Sequence, residues 1–448
     1  MRQVLFGSTA LVGAILLASA ASAQTAGPKA PFRAILDGEV NANFGILSGT
    51  QNGGTNGGHQ RDFGVEQNAW LRFYFEAKAD NGLTYGWNVR MITTSSSISN
   101  DGFSNDREGI YMEHPQWGGL NIGDDASTSK SNIPTVIADW GPPTSSQSYL
   151  GPGGKIEALF LQFTDARAFA IANNAADFGA FNNFPSGRAM HIYYETPRFY
   201  GWNLETDYTP DGATRNEEQF VTSTASGVPS ATQSVSEANF QNVVSLNAQG
   251  RGEYMGVAWG LVAQYAHGQS KNIFSATGSG QAFRDINSYE SGVKLNYAGF
   301  QFGLEWTYLG QSAVPKAISG GTGPIGKPVN TWGWATGLEY FMGPWVIGGY
   351  YWYGYAPGTF QLSPAGTALA TTTVATANGL TSPQTAGNGA FEDNNYGIGV
   401  GYTLAPGLKL YSELFYYDYY NTHLQSTASN SGRHMNGQVY IFGTSLAW

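Results

Sequence analysis

AWLRFYFEAKADNGLTYGWNVRMIT, residues 69–93, is two alternating runs hinged on a tight turn. In the first run Ala69, Leu71, Phe73, Phe75, Ala77 and Ala79 oppose Trp70, Arg72, Tyr74, Glu76 and Lys78. In the second, Leu83, Tyr85, Trp87, Val89 and Met91 face away from Asn88 and Arg90. Side chains of a strand point alternately to its two faces, so each run has one uncharged face and one charged face. Asp80-Asn81-Gly82 between them is a hairpin signal. With Asn81 at the centre, Arg72 and Arg90 fall directly opposite each other. Like charges paired across a ladder destabilise it, so a sheet selected only for stability would avoid this pair.

The same grammar recurs along the chain. In ILDGEVNANFGI, residues 35–46, the uncharged parity is Leu36, Gly38, Val40, Ala42, Phe44 and Ile46. FQFGLEWTY, TWGWATGLEY, YGIGVGYT and LKLYSELFYY repeat it. Short turns are expected at Asp80 to Gly82, Pro115 to Gly118, Thr196 to Gly201, Gly252 to Gly256, Ala298 to Gly299, Met342 to Pro344 and Leu404 to Gly407. Long polar loops such as Thr209 to Asn239, Leu309 to Val329 and Gly354 to Asp393 alternate with them. Seven short turns and eight long loops predict about sixteen antiparallel strands, an even number with both chain ends on the short-turn side.

Composition points to a sheet that meets lipid. The 448 residues include 60 Gly, 26 Tyr, 25 Phe and 12 Trp, while only 12% are charged. Aromatics suit strands and membrane interfaces. A soluble sandwich would need aliphatic packing on its apolar face and partners for buried Tyr and Trp. Here the apolar faces end in aromatics near turns, at Trp202, Tyr308, Trp345, Tyr402 and Trp448. MRQVLFGSTALVGAILLASAASAQ opens with a cation, an apolar run and an Ala-x-Ala exit, which reads as a signal peptide over 1–23. No later window is apolar for 18 residues, so any membrane crossing falls to strands. With no cysteine there are no disulfides or thiolate metal sites, and a net charge of −10 argues against nucleic acid.

RAMHIYYETPRFYGWNLETDYTPD, residues 188–211, resembles the strand, turn and strand that follow the third loop in general diffusion porins of Gram-negative outer membranes, with Tyr194, Pro197, Phe199, Gly201 and Trp202 in the corresponding places. LNIGDD, residues 120–125, is similar to the strand leading into that loop. The resemblance implies an all-β transmembrane antiparallel barrel over 24–448, with short periplasmic turns, long extracellular loops and an inward-folded third loop at 125–187. That loop is longer here than in the family and lacks its Pro-Glu-Phe-Gly-Gly-Asp type tip. A homotrimer is implied too, with small outward residues such as Gly38 and Ala42 allowing close wall packing.

The charged parities then list the lumen. Its acids include Asp37, Glu39, Glu76, Glu113, Glu195, Glu205, Asp207, Glu290, Glu305, Glu339 and Glu413; its bases include Arg72, Lys78, Arg90, Arg107, Arg251, Lys294 and Lys409. Arg72, Arg90 and Arg107 are expected to form the basic side of a pore constriction. By resemblance the acids opposite come from the loop, with Asp124, Asp125 and Asp139 as candidates. The expected function is passive diffusion of ions and small hydrophilic solutes, with a mild cation preference and no cofactor or metal. Two alternatives stay open. Aromatic runs at 350–355 and 414–420 could stack sugars in a substrate-specific channel. His191, beside Tyr193 and Glu195, is the one weak general-base candidate for an outer-membrane hydrolase, and no Gly-x-Ser-x-Gly or His-Glu-x-x-His motif surrounds the histidines. Finally VYIFGTSLAW, 439–448, reads as the closing strand, with Tyr440, Phe442, Leu446 and Trp448 facing lipid. The resemblance adds Phe442, Leu446 and Trp448 as an assembly signal.

Overall fold

The computed structural model describes residues 32–49, 63–93, 103–124, 190–211, 240–270, 284–312, 330–357, 390–421 and 434–448. The expected leader at 1–23, the loop at 125–187, and Asp125 and Asp139 lie outside them. Strands are β1 (Arg33–Gly49), β2 (Phe63–Lys78), β3 (Thr84–Thr93), β4 (Phe103–His114), β5 (Gly118–Gly123), β6 (His191–Glu195), β7 (Trp202–Asp211) and β8 (Phe240–Tyr254). They continue as β9 (Val257–Ser270), β10 (Ile286–Tyr297), β11 (Phe300–Gly310), β12 (Thr331–Met342), β13 (Trp345–Pro357), β14 (Ala390–Ala405), β15 (Leu408–Asn421) and β16 (His434–Ala447). Each pairs antiparallel with its sequence neighbours, and β16 pairs with β1, so the sheet is a closed barrel of sixteen strands. The hairpin at 69–93 forms as its pattern dictates, with Arg72 in register with Arg90.

Closure removes both free edges of the sheet. At the seam Phe44 pairs with Phe442, and beyond the last pair Trp448 N donates to Gly38 O at 3.1 Å. The indole of Trp448 lies on Gly38, where a Cβ would stand 2.7 Å from its Cζ2. Gly38 is therefore covered by its own chain and offers no open patch for wall-to-wall packing; Ala42 stays exposed.

Burial follows parity as a two-solvent wall requires. Along β1, Glu39, Asn41 and Asn43 are buried on the inner face while Ala42, Phe44 and Ile46 are exposed on the outer. Outward aromatics form two bands. Near the short turns, Phe75 stacks on Trp87 at 5.6 Å, Phe300 meets Tyr340 at 4.5 Å and Trp345 meets Tyr402 at 4.5 Å. Toward the loops, Trp306 stacks on Tyr308 at 5.9 Å, Trp334 meets Tyr351 at 5.0 Å and Tyr396 stacks on Tyr416 at 4.6 Å. Exposed Leu304, Leu338, Ile398 and Leu414 lie between the bands. This aromatic–aliphatic–aromatic sequence matches the two boundaries and core of a bilayer. The runs at 350–355 and 414–420 split accordingly: Tyr351, Tyr353 and Tyr416 join the outer band, whereas Tyr350 and Phe415 point inward. Glu392 and Asp418 fall on the outward parity, at the loop ends of β14 and β15.

The short connections are turns at the expected positions. Gly118 opens β5 at φ 85°, and a Cβ there would collide with the carbonyl of Glu195. β5 and β6 are the shortest strands, with 6 and 5 residues.

Candidate functional site

Inward parity and register build the site from the wall itself. Asp37, Arg72, Arg90 and Arg107 form one unbroken line across β1 to β4. Neighbouring strands lie about 4.8 Å apart, so the three arginines occupy adjacent places on the inner wall. Arg72 Nη1 donates to Tyr74 Oη at 3.0 Å, and its guanidinium lies 5.7 Å from the Tyr74 ring and 6.0 Å from that of Trp70. Aromatic faces attract a cation, which steadies Arg72 beside two like charges.

A second line runs Glu113, Gly119, Glu195, Glu205, Asn247, Gln264 and Glu290, from β4 to β10. Glu195 and Glu205 oppose each other directly. Neutral donors hold these acids. Asn203 and Asn247 donate to Glu205 at 3.2 and 3.1 Å, and Gln249 Nε2 also donates to it. Tyr193 donates to Glu195 at 3.2 Å and Thr209 to Asp207 at 3.2 Å. Elsewhere Asn41 donates to Glu39 at 2.7 Å and Gln301 to Glu339 at 3.0 Å. An amide or phenol fixes a carboxylate without cancelling its charge. Glu76 accepts from a cation as well as a phenol, Arg33 Nε at 2.6 Å and Tyr111 at 2.9 Å.

Of the residues expected from the sequence, Asp37, Arg72, Arg90, Arg107, Glu113, Glu195, Glu205 and Glu290 join these two lines. Lys78 pairs with Thr84, and Thr84 with Glu113, so both lysine and acid face inward near the turn end. Asp124 behaves differently from its expected part in a constriction. It is fully buried, its Oδ1 accepts from the Glu108 amide, and its own N donates to Glu108 O at 2.8 Å. This carboxylate ties the end of β5 to β4. His191 faces Asp207, at 3.9 Å from Nε2 to Oδ2, with both side chains buried. Tyr440, Phe442, Leu446 and Trp448 are exposed on the outer wall.

The opposition of charge across the lumen is a relation that the residue-by-residue reading missed. In a ring of sixteen, β3 and β11 are eight strands apart, so the arginine strands β2 to β4 lie across the ring from β10 to β12, whose inward charged residues include Glu290, Lys294, Glu305 and Glu339. Counting eight strands onward from the arginine hairpin would have found them. A further basic pair lies near the turn end: partial burial, and then Arg251, hold the Arg198 guanidinium below its ordinary range. Among the described residues no group of three or more His, Asp or Glu could hold a metal ion.

A family model described as Gram-negative porin matches residues 7–422. No curated protein matches the chain. Among solved structures, a loop L8 deletion variant of OmpT, an outer membrane protein of Vibrio cholerae, superposes with a TM-score of 0.51 at 9% identity, covering 94% of this chain and 100% of that one. A doubly substituted mutant of the Rh. blastica porin gives a TM-score of 0.47 at 13% identity, over 93% of this chain and 100% of its own.

Proposed function

We propose, from the premise that the chain belongs to the Gram-negative porin family, that this barrel is a water-filled outer-membrane channel for passive diffusion of ions and small hydrophilic solutes, with a charged constriction. The observation that carries this reading is the unbroken inward line of Arg72, Arg90 and Arg107 on β2 to β4, with the strands across the ring bearing Glu290, Glu305 and Glu339 beside the single base Lys294. Opposed charges across a narrow wet passage create a transverse field that orients polar solutes while the fixed width excludes large ones. Arg72, Arg90 and Arg107 are its basic side, and wall acids supply the other.

Inward acids outnumber inward bases and neutral donors hold many of them, so a mild cation preference is part of the proposal. Export by a leader at 1–23 and assembly as a homotrimer complete it. In that trimer Ala42, not Gly38, is the open small residue for wall packing. Phe442, Leu446 and Trp448 are proposed as the assembly signal, presented on the outer face of the closing strand.

Planar-bilayer recording of the purified full chain tests the reading. Openings in three equal steps and a reversal potential of cation-selective sign under a salt gradient are expected. Absence of steps would remove the pore, and an anion-selective sign would remove the cation preference. Arg72→Ala with Arg90→Ala is expected to raise the cation-to-anion permeability ratio by about two-fold or more, since two positive charges leave the narrowest level. An unchanged ratio would take both arginines out of the constriction.

A further inference from the structure

Three inward tyrosines share one geometry. Tyr111 of β4 is in register with Gly86 of β3, and Gly86 with Glu76 of β2. The ring crosses β3, and its hydroxyl donates to Glu76 Oε2 at 2.9 Å. Tyr350 of β13 is in register with Gly397 of β14 and donates to Glu413 Oε1 of β15 at 2.6 Å. Tyr411 of β15 is in register with Gly443 of β16, and its hydroxyl bonds Asn43 Oδ1 of β1.

Two strand spacings amount to about 9.6 Å, a span a phenol meets only by lying along the ladder rather than standing up from the sheet. A ring lying flat needs a floor without a side chain. A Cβ on Gly397 would stand 2.6 Å from Tyr350 Cζ, one on Gly86 would stand 2.8 Å from Tyr111 Oη, and one on Gly443 would overlap the ring of Tyr411. For Gly397 the three nearest obstructing atoms all belong to Tyr350. Tyr350 and Glu413 are both buried against the wall, with Phe415 at 6.3 Å from the Tyr350 ring.

We propose that Tyr111 and Tyr350 are positioning residues for permeation: each lies flat over a glycine, keeps its ring out of the bore, and pins a lumen carboxylate to the wall two strands away. Tyr411 does the same for Asn43 across the last strand before the seam. The proposal rests on the channel reading above and adds to it what sets the bore and the place of two of its charges. A glutamate on a free side chain sweeps several rotamers into the passage, whereas a pinned one presents its charge at one place. The phenol governs where the charge sits, and the glycine governs how far the ring stands from the wall.

These two effects separate by mutation. Tyr350→Phe keeps the ring and removes the phenol's bond to Glu413. Gly397→Ala lifts the ring into the lumen. Single-channel conductance and reversal potential are measured for the full chain and for Y350F, G397A, E413Q and Y350F/E413Q. Y350F is expected to leave conductance nearly unchanged and shift the cation-to-anion permeability ratio by about 1.5-fold or more. The same change is expected to be silent in the E413Q background, and G397A to lower conductance. An unshifted ratio in Y350F, or an equal shift with and without Glu413, overturns the proposal. If the unmodified chain does not conduct, the channel reading fails on its own. The pinning is then decided by thermal unfolding of the same proteins in detergent. Non-additive effects of Y350F and E413Q uphold the contact, and additive effects overturn it.

Discussion

Glu205 illustrates what a single lumen residue demands of its surroundings. Its carboxylate is buried, opposed by Glu195 and held by the side-chain amides of Asn203, Asn247 and Gln249. The amides depend on the acid as much as the acid depends on them, because a buried donor left without an acceptor bears its full desolvation penalty. Glu205→Leu is therefore expected to destabilise the barrel by about 1–3 kcal/mol in equilibrium unfolding, and Glu205→Gln by less, because its amide oxygen still accepts. A Leu variant as stable as the parent would show that water serves the amides as acceptor once the acid is gone. Legibility at this scale was uneven. Arg72 and Arg90 could be paired from sequence because a tight turn makes opposition a matter of equal distance. Asp124 could not, since its bonds to Glu108 depend on where β5 ends, and that in turn depends on a partner strand distant in sequence.

A strand here is a boundary between two solvents, and its two parities obey different rules. Ile398 of β14 is 63% exposed on the outer face, between Tyr396 and Tyr402 of the two aromatic bands. Ile398→Arg is expected to disfavour the inserted barrel by about 2–4 kcal/mol, measured by reversible folding into lipid vesicles, because the guanidinium would meet hydrocarbon. An effect under about 1 kcal/mol would mean that this face meets headgroups or protein instead. Strand count and turn positions were readable because period-two alternation and glycine-containing turns are local signals. Glu392 and Asp418 escaped the same reading. Parity assigns charges to the lumen, but an outward side chain beyond the aromatic band lies at headgroup depth and need not be apolar. The flat tyrosines escaped it as well, since Tyr350, Gly397 and Glu413 sit on three successive strands joined through a loop of unconstrained length.

At the scale of the whole barrel, function depends on relations that no hairpin contains. The arginine strands β2 to β4 lie across from β10 to β12 only because the ring has sixteen members and closes in one register. At the closing pair Trp448 has its backbone bonded to Gly38 and its indole lying on the glycine. Trp448→Ala is expected to lower the yield of folded barrel at least about two-fold, while molecules that do fold conduct as the parent does, since the indole faces away from the lumen. Undiminished yield would remove Trp448 from the closure step, and altered conductance would place it in the permeation path.

The seam also has a temporal side. β1 is the first described strand and its partner β16 the last, so a contact between residues far apart in the sequence completes the sheet. Contacts between distant residues form late, because the entropy of closing the intervening loop must be met before they stabilise anything. Through most of folding, then, β1 presents a row of unsatisfied amides, in a segment rich in apolar side chains, to whatever strand arrives first. Another copy's strand would fit that edge as well as its own. The hazard for this chain is thus one of timing: crowding newly made copies together should favour strand exchange between molecules over closure, and sequestering β1 until β16 arrives should suppress it.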